Sequence, residues 1–118
     1  MAAVQSFREL VVWQRAIELA VAVYKLSAAF PREEAYGLTT QIRRASVGVA
    51  SNIAEGQGRA TAGEFRHFLG NARGSNSEVQ THLVLARELG LGEAAGVQRC
   101  EEISVEVGKM LNGLMRTL

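Results

Sequence analysis

The chain is expected to fold as an all-α protein, an antiparallel up-down four-helix bundle. Three observations predict this. Apolar residues recur at helical spacing in four segments, and no stretch shows strand-like alternation of useful length. Short breaks separate the segments: the lone Pro31, Gly56-Gln57-Gly58, and Gly90-Leu91-Gly92. Each segment is about 20–28 residues, roughly 30–40 Å at 1.5 Å per residue, and short links between long helices make neighbours antiparallel. The 118 residues fit one domain, 1–118, and a 47% hydrophobic content is enough for one core.

The first helix is expected over about 7–30. Ser6 and Glu9 have capping-box spacing, and Pro31 stops the helix. Leu10, Trp13, Ile17, Ala20, Val21, Tyr24 and Ala28 line one side. Val12, Leu19, Val23, Leu26 and Phe30 line nearly the opposite side. Only a narrow polar strip of Gln14, Glu18 and Lys25 lies between them. A single bundle would leave one stripe in water, forgoing roughly 1.5–3 kcal/mol per large side chain. Such patches mark association surfaces. The Val12–Phe30 stripe is the candidate for contacts between copies, and sequence alone leaves open which stripe turns inward; the alternative is that this helix sits centrally in its own fold.

The second helix is expected over about 35–55. Ile42, Ala45, Ser46, Val49 and Ile53 form its apolar front. Its back is unusual: Arg44, Val47, Gly48, Ser51, Ala54 and Glu55 are mostly small. An ordinary surface helix carries long charged side chains there. The segment thus reads as a central helix that also meets another copy. Gly56-Gln57-Gly58 ends it, glycine tolerating the left-handed conformation of a helix terminus.

Thr61 and Glu64 form a second capping box, so the third helix is expected over 62–89. Phe65, Phe68, Leu69, Ala72, Asn76, Val79, Leu83 and Ala86 form its core stripe. Gly70, Gly74 and Ser77 lie behind, and each helical glycine costs about 1 kcal/mol relative to Ala. A close-packed backbone neighbour would explain them. The fourth helix, about 93–117, has one core stripe of Cys100, Ile103, Val107, Met110, Leu111, Leu114 and Leu118. Its other side carries Glu102, Glu106, Lys109 and Arg116, which marks it as the outermost helix.

Composition narrows the chemistry. The formal net charge is +1, so nucleic-acid binding would need a local patch. Eleven of the thirteen Lys and Arg residues are Arg, a choice that suits forked contacts to carboxylate or phosphate but that a compositional bias of the genome explains as well. The chain has no Asp, which excludes triads oriented by Asp. Cys100 is the single cysteine, so there is no internal disulfide and no sign of an oxidising compartment. No secretion signal or membrane span is expected, and a cytoplasmic location is the default.

Candidate sites are few. Glu64 and His67 form the one Glu-x-x-His match to bundle metal sites, but His67 points away from the Phe65/Leu83 stripe. His82 has no Glu-rich helix opposite, so no metal and no cofactor is expected. Cys100 falls on a core stripe, and no Ser-His-carboxylate set can be placed, so no catalytic residue is assigned and a non-enzyme is expected. Gly56 to Thr61 has the glycine and Arg59 of an anion-binding helix start, but lacks the ending of a nucleotide loop. Arg43, Arg44, Arg59, Arg66 and Arg73 form the densest basic set and are the candidates for phosphate contact. The competing reading is ion pairing between copies: Arg44 and Glu55 lie about 16 Å apart along one helix, too far to pair within it. Candidate interface residues are thus Val12, Leu19, Val23, Leu26, Phe30, Arg44, Gly48, Ser51, Glu55, Gly70 and Gly74. A small-ligand or enzyme cleft between subunits near Asn52, Glu55 and Arg59 is the reading from another class.

These residues resemble a known family. Trp13-Gln14, Phe30-Pro31, Tyr36-Gly37-Leu38, Gln41 to Ala45, and Ser51-Asn52-Ile53-Ala54-Glu55-Gly56 with Gly58-Arg59 are similar to the 23S ribosomal RNA intervening-sequence proteins. So are Glu64-Phe65, Phe68-Leu69, Gly74-Ser75 and Glu78, and the likeness spans roughly residues 7–118. The resemblance implies a four-helix bundle and a homo-oligomer, with a pentameric ring the expected form. It also implies a role near RNA or a nucleoprotein, since a related bundle serves as the accessory subunit of diversity-generating retroelements. Many relatives are encoded outside ribosomal RNA genes, so the family name does not itself imply ribosomal function. Gly48 and Gly63 depart from the residues expected at those positions.

Overall fold

The structure, a computed structural model, describes residues 6–118. The first five residues of the expected domain lie outside the described ones. Four helices and no strand occur among the described residues: α1 Val11–Ser27, α2 Leu38–Gln57, α3 Ala62–Leu89 and α4 Ala94–Arg116. They pack side by side in a cycle, α1 on α2, α2 on α3, α3 on α4 and α4 on α1, with the α2–α3 contact the most extensive. Every helix therefore has two neighbours, so α2 is not central and α4 is not outermost. The molecule measures 47 × 23 × 20 Å. Its long dimension is close to that of α3, whose 28 residues span about 42 Å at 1.5 Å per residue.

Local chemistry sets the boundaries. Ser6 caps a 3-10 turn, Phe7–Glu9, by accepting a hydrogen bond from the Arg8 amide, and extended Leu10 then delays α1 to Val11. A second 3-10 turn, Arg32–Glu34, and the irregular Gly37 delay α2 to Leu38, whose amide donates to the Glu34 carboxylate. These turns explain why both helices start later than the periodicity alone suggested. Thr61 caps α3 as expected, accepting from the Glu64 amide at 3.1 Å. Gly90 and Gly92 are the described residues with positive φ, and Leu91 closes the turn by donating to Ala86.

Gly56 plays a different part from the expected one. It lies inside α2, and Gly58 after it is right-handed, so no left-handed residue ends this helix. A Cβ on Gly56 would come within 2.8 Å of the Phe68 Cβ and 3.2 Å of the Phe65 carbonyl oxygen. Close approach of α2 and α3, not backbone freedom, requires glycine there.

The core shows which α1 stripe turns inward. Val12, Ala16, Leu19, Val23, Leu26 and Phe30 are buried among α2, α3 and α4 side chains. The assignment of Val12, Leu19, Val23, Leu26 and Phe30 to contacts between copies is therefore corrected: they are the protomer's own core. Ala16 is the reason. It completes an unbroken 4-3-4-3-4 spacing from Val12 to Phe30, the seam of a helix packed nearly parallel to its neighbours.

One polar pair sits inside. Asn76 donates to the Ser104 carbonyl at 2.9 Å, and the Ser104 hydroxyl donates to the Asn76 Oδ1 at 2.7 Å. Both residues are buried, so α3 and α4 are locked in one register. Arg15 extends from α1 to Glu106 of α4 at 2.6 Å and also pairs with Glu18. That pairing holds the Glu106 carboxyl below the usual carboxylate range.

Candidate functional site

Of the two α1 stripes, the one that runs from Leu10 to Ala28 is partly left in water. Phe7 packs edge-on against Trp13, and Leu10 and Trp13 lie against the core, so the N-terminal end of that stripe is covered. Beyond it Ile17, Val21 and Tyr24 are 38%, 48% and 44% exposed. From α2, Val47 is 43% exposed and shares a groove of about 490 Å³ with Tyr24, Thr40, Arg43, Arg44 and Gly48. On the other flank Ile17 and Val21 line a groove with Arg99 of α4. The result is an apolar strip running along α1 and onto α2.

The five arginines do not form one patch. Arg43 is tied to α1: its Nε donates to the Ser27 hydroxyl at 2.7 Å, and its guanidinium lies over the Tyr24 ring at 4.6 Å. Arg59 pairs with Glu55 and covers the Phe68 ring at 4.6 Å. Arg73 donates to Asn112 of α4 at 3.1 Å. Arg44 and Arg66 are exposed and form no ion pair with any described residue. Arg66 and Arg73 share one flank of α3, while Arg44 faces the opposite flank beside Ser75, Glu78 and His82.

The other interface candidates divide similarly. Gly48 meets Ser75 of the same protomer, a Cβ there falling 3.0 Å from the Ser75 hydroxyl, so its small size serves α2–α3 packing. Ser51 is exposed. Glu55 is held by Arg59, not by a distant Arg44. A Cβ on Gly70 would lie 4.0 Å from the Met115 Cε of α4, and one on Gly74 would meet no other part of the protomer within 4 Å. The expected backbone neighbour of the α3 glycines is thus absent within the protomer at Gly74. The cleft proposed near Asn52, Glu55 and Arg59 has its polar groups engaged: Asn52 donates to the Gly48 carbonyl at 2.8 Å, and Glu55 pairs with Arg59.

Cys100 is fully buried, and loss of solvent pushes its thiol up to about 11, so the thiolate nucleophile is suppressed. No group of three metal-ligating side chains occurs among the described residues. His67 is exposed and lies edge-on to Phe68. His82 is buried at 8% exposure, and burial lowers its pKa against the opposing pull of Glu78. Sequence reasoning missed the burial of His82; its spacing from Asn76 and Val79 on α3 carried the signal. No helix among the described residues is long and apolar enough to cross a membrane.

Comparison with known proteins places this arrangement. No functionally curated protein matches the chain. The crystal structure at 1.70 Å of a protein of unknown function from the S23 ribosomal protein family of Bacteroides thetaiotaomicron VPI-5482 superposes with a TM-score of 0.80. The match covers 89% of this chain and 98% of that one at 21% identity, a likeness that shows the fold alone. The family model described as 23S rRNA-intervening sequence protein matches residues 8–113. The chain therefore belongs to the 23S rRNA-intervening sequence protein family.

Proposed function

We propose that this protein is a non-enzymatic scaffold, an antiparallel up-down four-helix bundle that works as a homo-oligomer. One observation carries the proposal: the uncovered strip of Ile17, Val21, Tyr24 and Val47. Each of these side chains is roughly half buried already, so covering it contributes roughly 1 kcal/mol, about half of a full burial. Four per protomer give roughly 4 kcal/mol on each side of a contact. Immobilising a partner costs about 4–15 kcal/mol. The strip is thus the centre of a larger interface, with rim contacts supplying the remainder. Cross-helix contacts support the antiparallel arrangement: Arg73 meets Asn112, Asn76 meets Ser104, and Arg87 pairs with Glu101.

The ring of five is the stoichiometry that the family resemblance implies, and light scattering across a dilution series reads it. A mass that stays at 12.7 kDa throughout defeats the scaffold reading. RNA association is a second, narrower proposal, supported by the unpaired Arg44 and Arg66. Two phosphate contacts per protomer give a salt slope of only about −1.4 to −1.8, so binding is weak unless assembly multiplies the contacts. Filter binding of structured RNA at low salt tests it. Undetectable binding, or binding unchanged in the Arg44→Gln/Arg66→Gln variant, refutes that part.

A further inference from the structure

A polar notch of about 300 Å³ lies between α2 and α3, lined by Gln41, Arg44, Ala45, Ser75, Glu78 and His82. Its walls follow from helix periodicity. Gln41, Arg44 and Ala45 occupy about one turn of α2, while Ser75, Glu78 and His82 follow one another at three- and four-residue spacing on one face of α3. Ala45 is small, which leaves the space open. Two observations set the notch apart from an ordinary solvated seam. Arg44 and Glu78 carry opposite charges on its two walls, yet neither forms an ion pair with the other or with any other described residue. His82 is more than nine-tenths buried, and its Nδ1 is enclosed without a hydrogen-bond partner among the described residues. An unpaired buried nitrogen is a destabilising feature that native cores rarely keep.

We propose that the notch binds a small zwitterion, an α-amino acid or a molecule with the same paired charges, with its carboxylate on Arg44 and its ammonium on Glu78. A simple anion would meet the Glu78 carboxylate, and a simple cation would meet the Arg44 guanidinium. A molecule bearing both charges satisfies both walls, and forked donation makes Arg44 the natural carboxylate partner. The Gln41 amide and Ser75 hydroxyl supply further hydrogen bonds, and His82 lines the notch beside them. Its volume lies at the lower limit of small-molecule sites, which restricts the occupant to something of amino-acid size.

The test is an NMR titration of the full chain in its native oligomeric state with L-alanine, acetate and methylammonium. L-alanine is expected to give saturating shifts at Gln41, Ser75 and His82 in the millimolar range, with acetate and methylammonium each roughly tenfold weaker or more. Arg44→Gln and Glu78→Gln remove one charge each from exposed positions, and circular dichroism checks that both variants stay folded. Each is expected to weaken L-alanine binding roughly tenfold or more, one charge-assisted contact being lost. No saturating response to L-alanine overturns the proposal. So does an equal response to acetate, or binding that survives in both variants.

Discussion

Replacing Asn76 by Leu tests whether the buried polar pair fixes the register of α3 and α4. Leu has the branched shape of Asn, so no cavity opens, and in the double variant Ser104→Ala frees room for its bulkier methyl groups. The change removes both bonds of 2.9 and 2.7 Å and leaves the Ser104 hydroxyl enclosed without its acceptor. An enclosed unpaired group costs about 1–3 kcal/mol, and Asn76→Leu is expected to destabilise by that amount. Ser104→Ala is expected to cost a similar amount, because it strips the Asn76 Oδ1 of its donor. The double variant removes both partners, and such a replacement is nearly neutral. The two single changes should therefore sum to about 2–6 kcal/mol, against roughly 1 kcal/mol or less for the pair. Urea unfolding at one fixed protomer concentration measures all four proteins, and an unchanged slope licenses the comparison. A double variant as unstable as the sum of its parts would refute the reasoning.

Leu19→Ala is expected to lower stability by about 2–5 kcal/mol in the same assay, while Val21→Ala, on the exposed strip, changes the folding of a protomer by less than about 1 kcal/mol. Gly92→Ala places a Cβ 2.6 Å from the Leu26 Cδ1 at a residue with φ of 73°, so thermal unfolding should show a loss beyond the cost of a left-handed alanine, roughly 1–2 kcal/mol. His82 has a folded pKa below its ordinary 6.5, so the unfolded chain takes up a proton that the folded chain refuses. Stability should then fall as pH drops through 6.5, and melting temperatures between pH 7.5 and 5.5 should show a decline that His82→Gln reduces.

Much of the fold was legible because periodicity and punctuation agreed. Thr61 and Glu64 marked the start of α3, and Gly90 marked its end. The α2 and α3 fronts were read correctly, including Asn76 on the core side. The reversal of the two α1 stripes has a definite cause. Both stripes have helical spacing and similar greasiness, and the decision depended on Ala16, a small residue that adds little hydrophobicity but completes the seam. It also depended on Phe7, whose ring covers Trp13 from a turn that periodicity does not reveal. The basic set failed for a related reason. Spacing along α3 joined Arg66 and Arg73, but it carried no information about Tyr24, Glu55 or Asn112, which engage Arg43, Arg59 and Arg73 from elsewhere in the fold. The notch was out of reach because it needs the relative position of α2 and α3.

Sedimentation equilibrium of the wild type beside Val21→Glu asks whether the bare face of α1 joins one copy to the next. The wild type should sediment as a multiple of 12.7 kDa, and the variant should fall to a single folded chain with the same helical content. A variant that assembles like the wild type, or a wild type that remains a single chain at every concentration, would contradict the account.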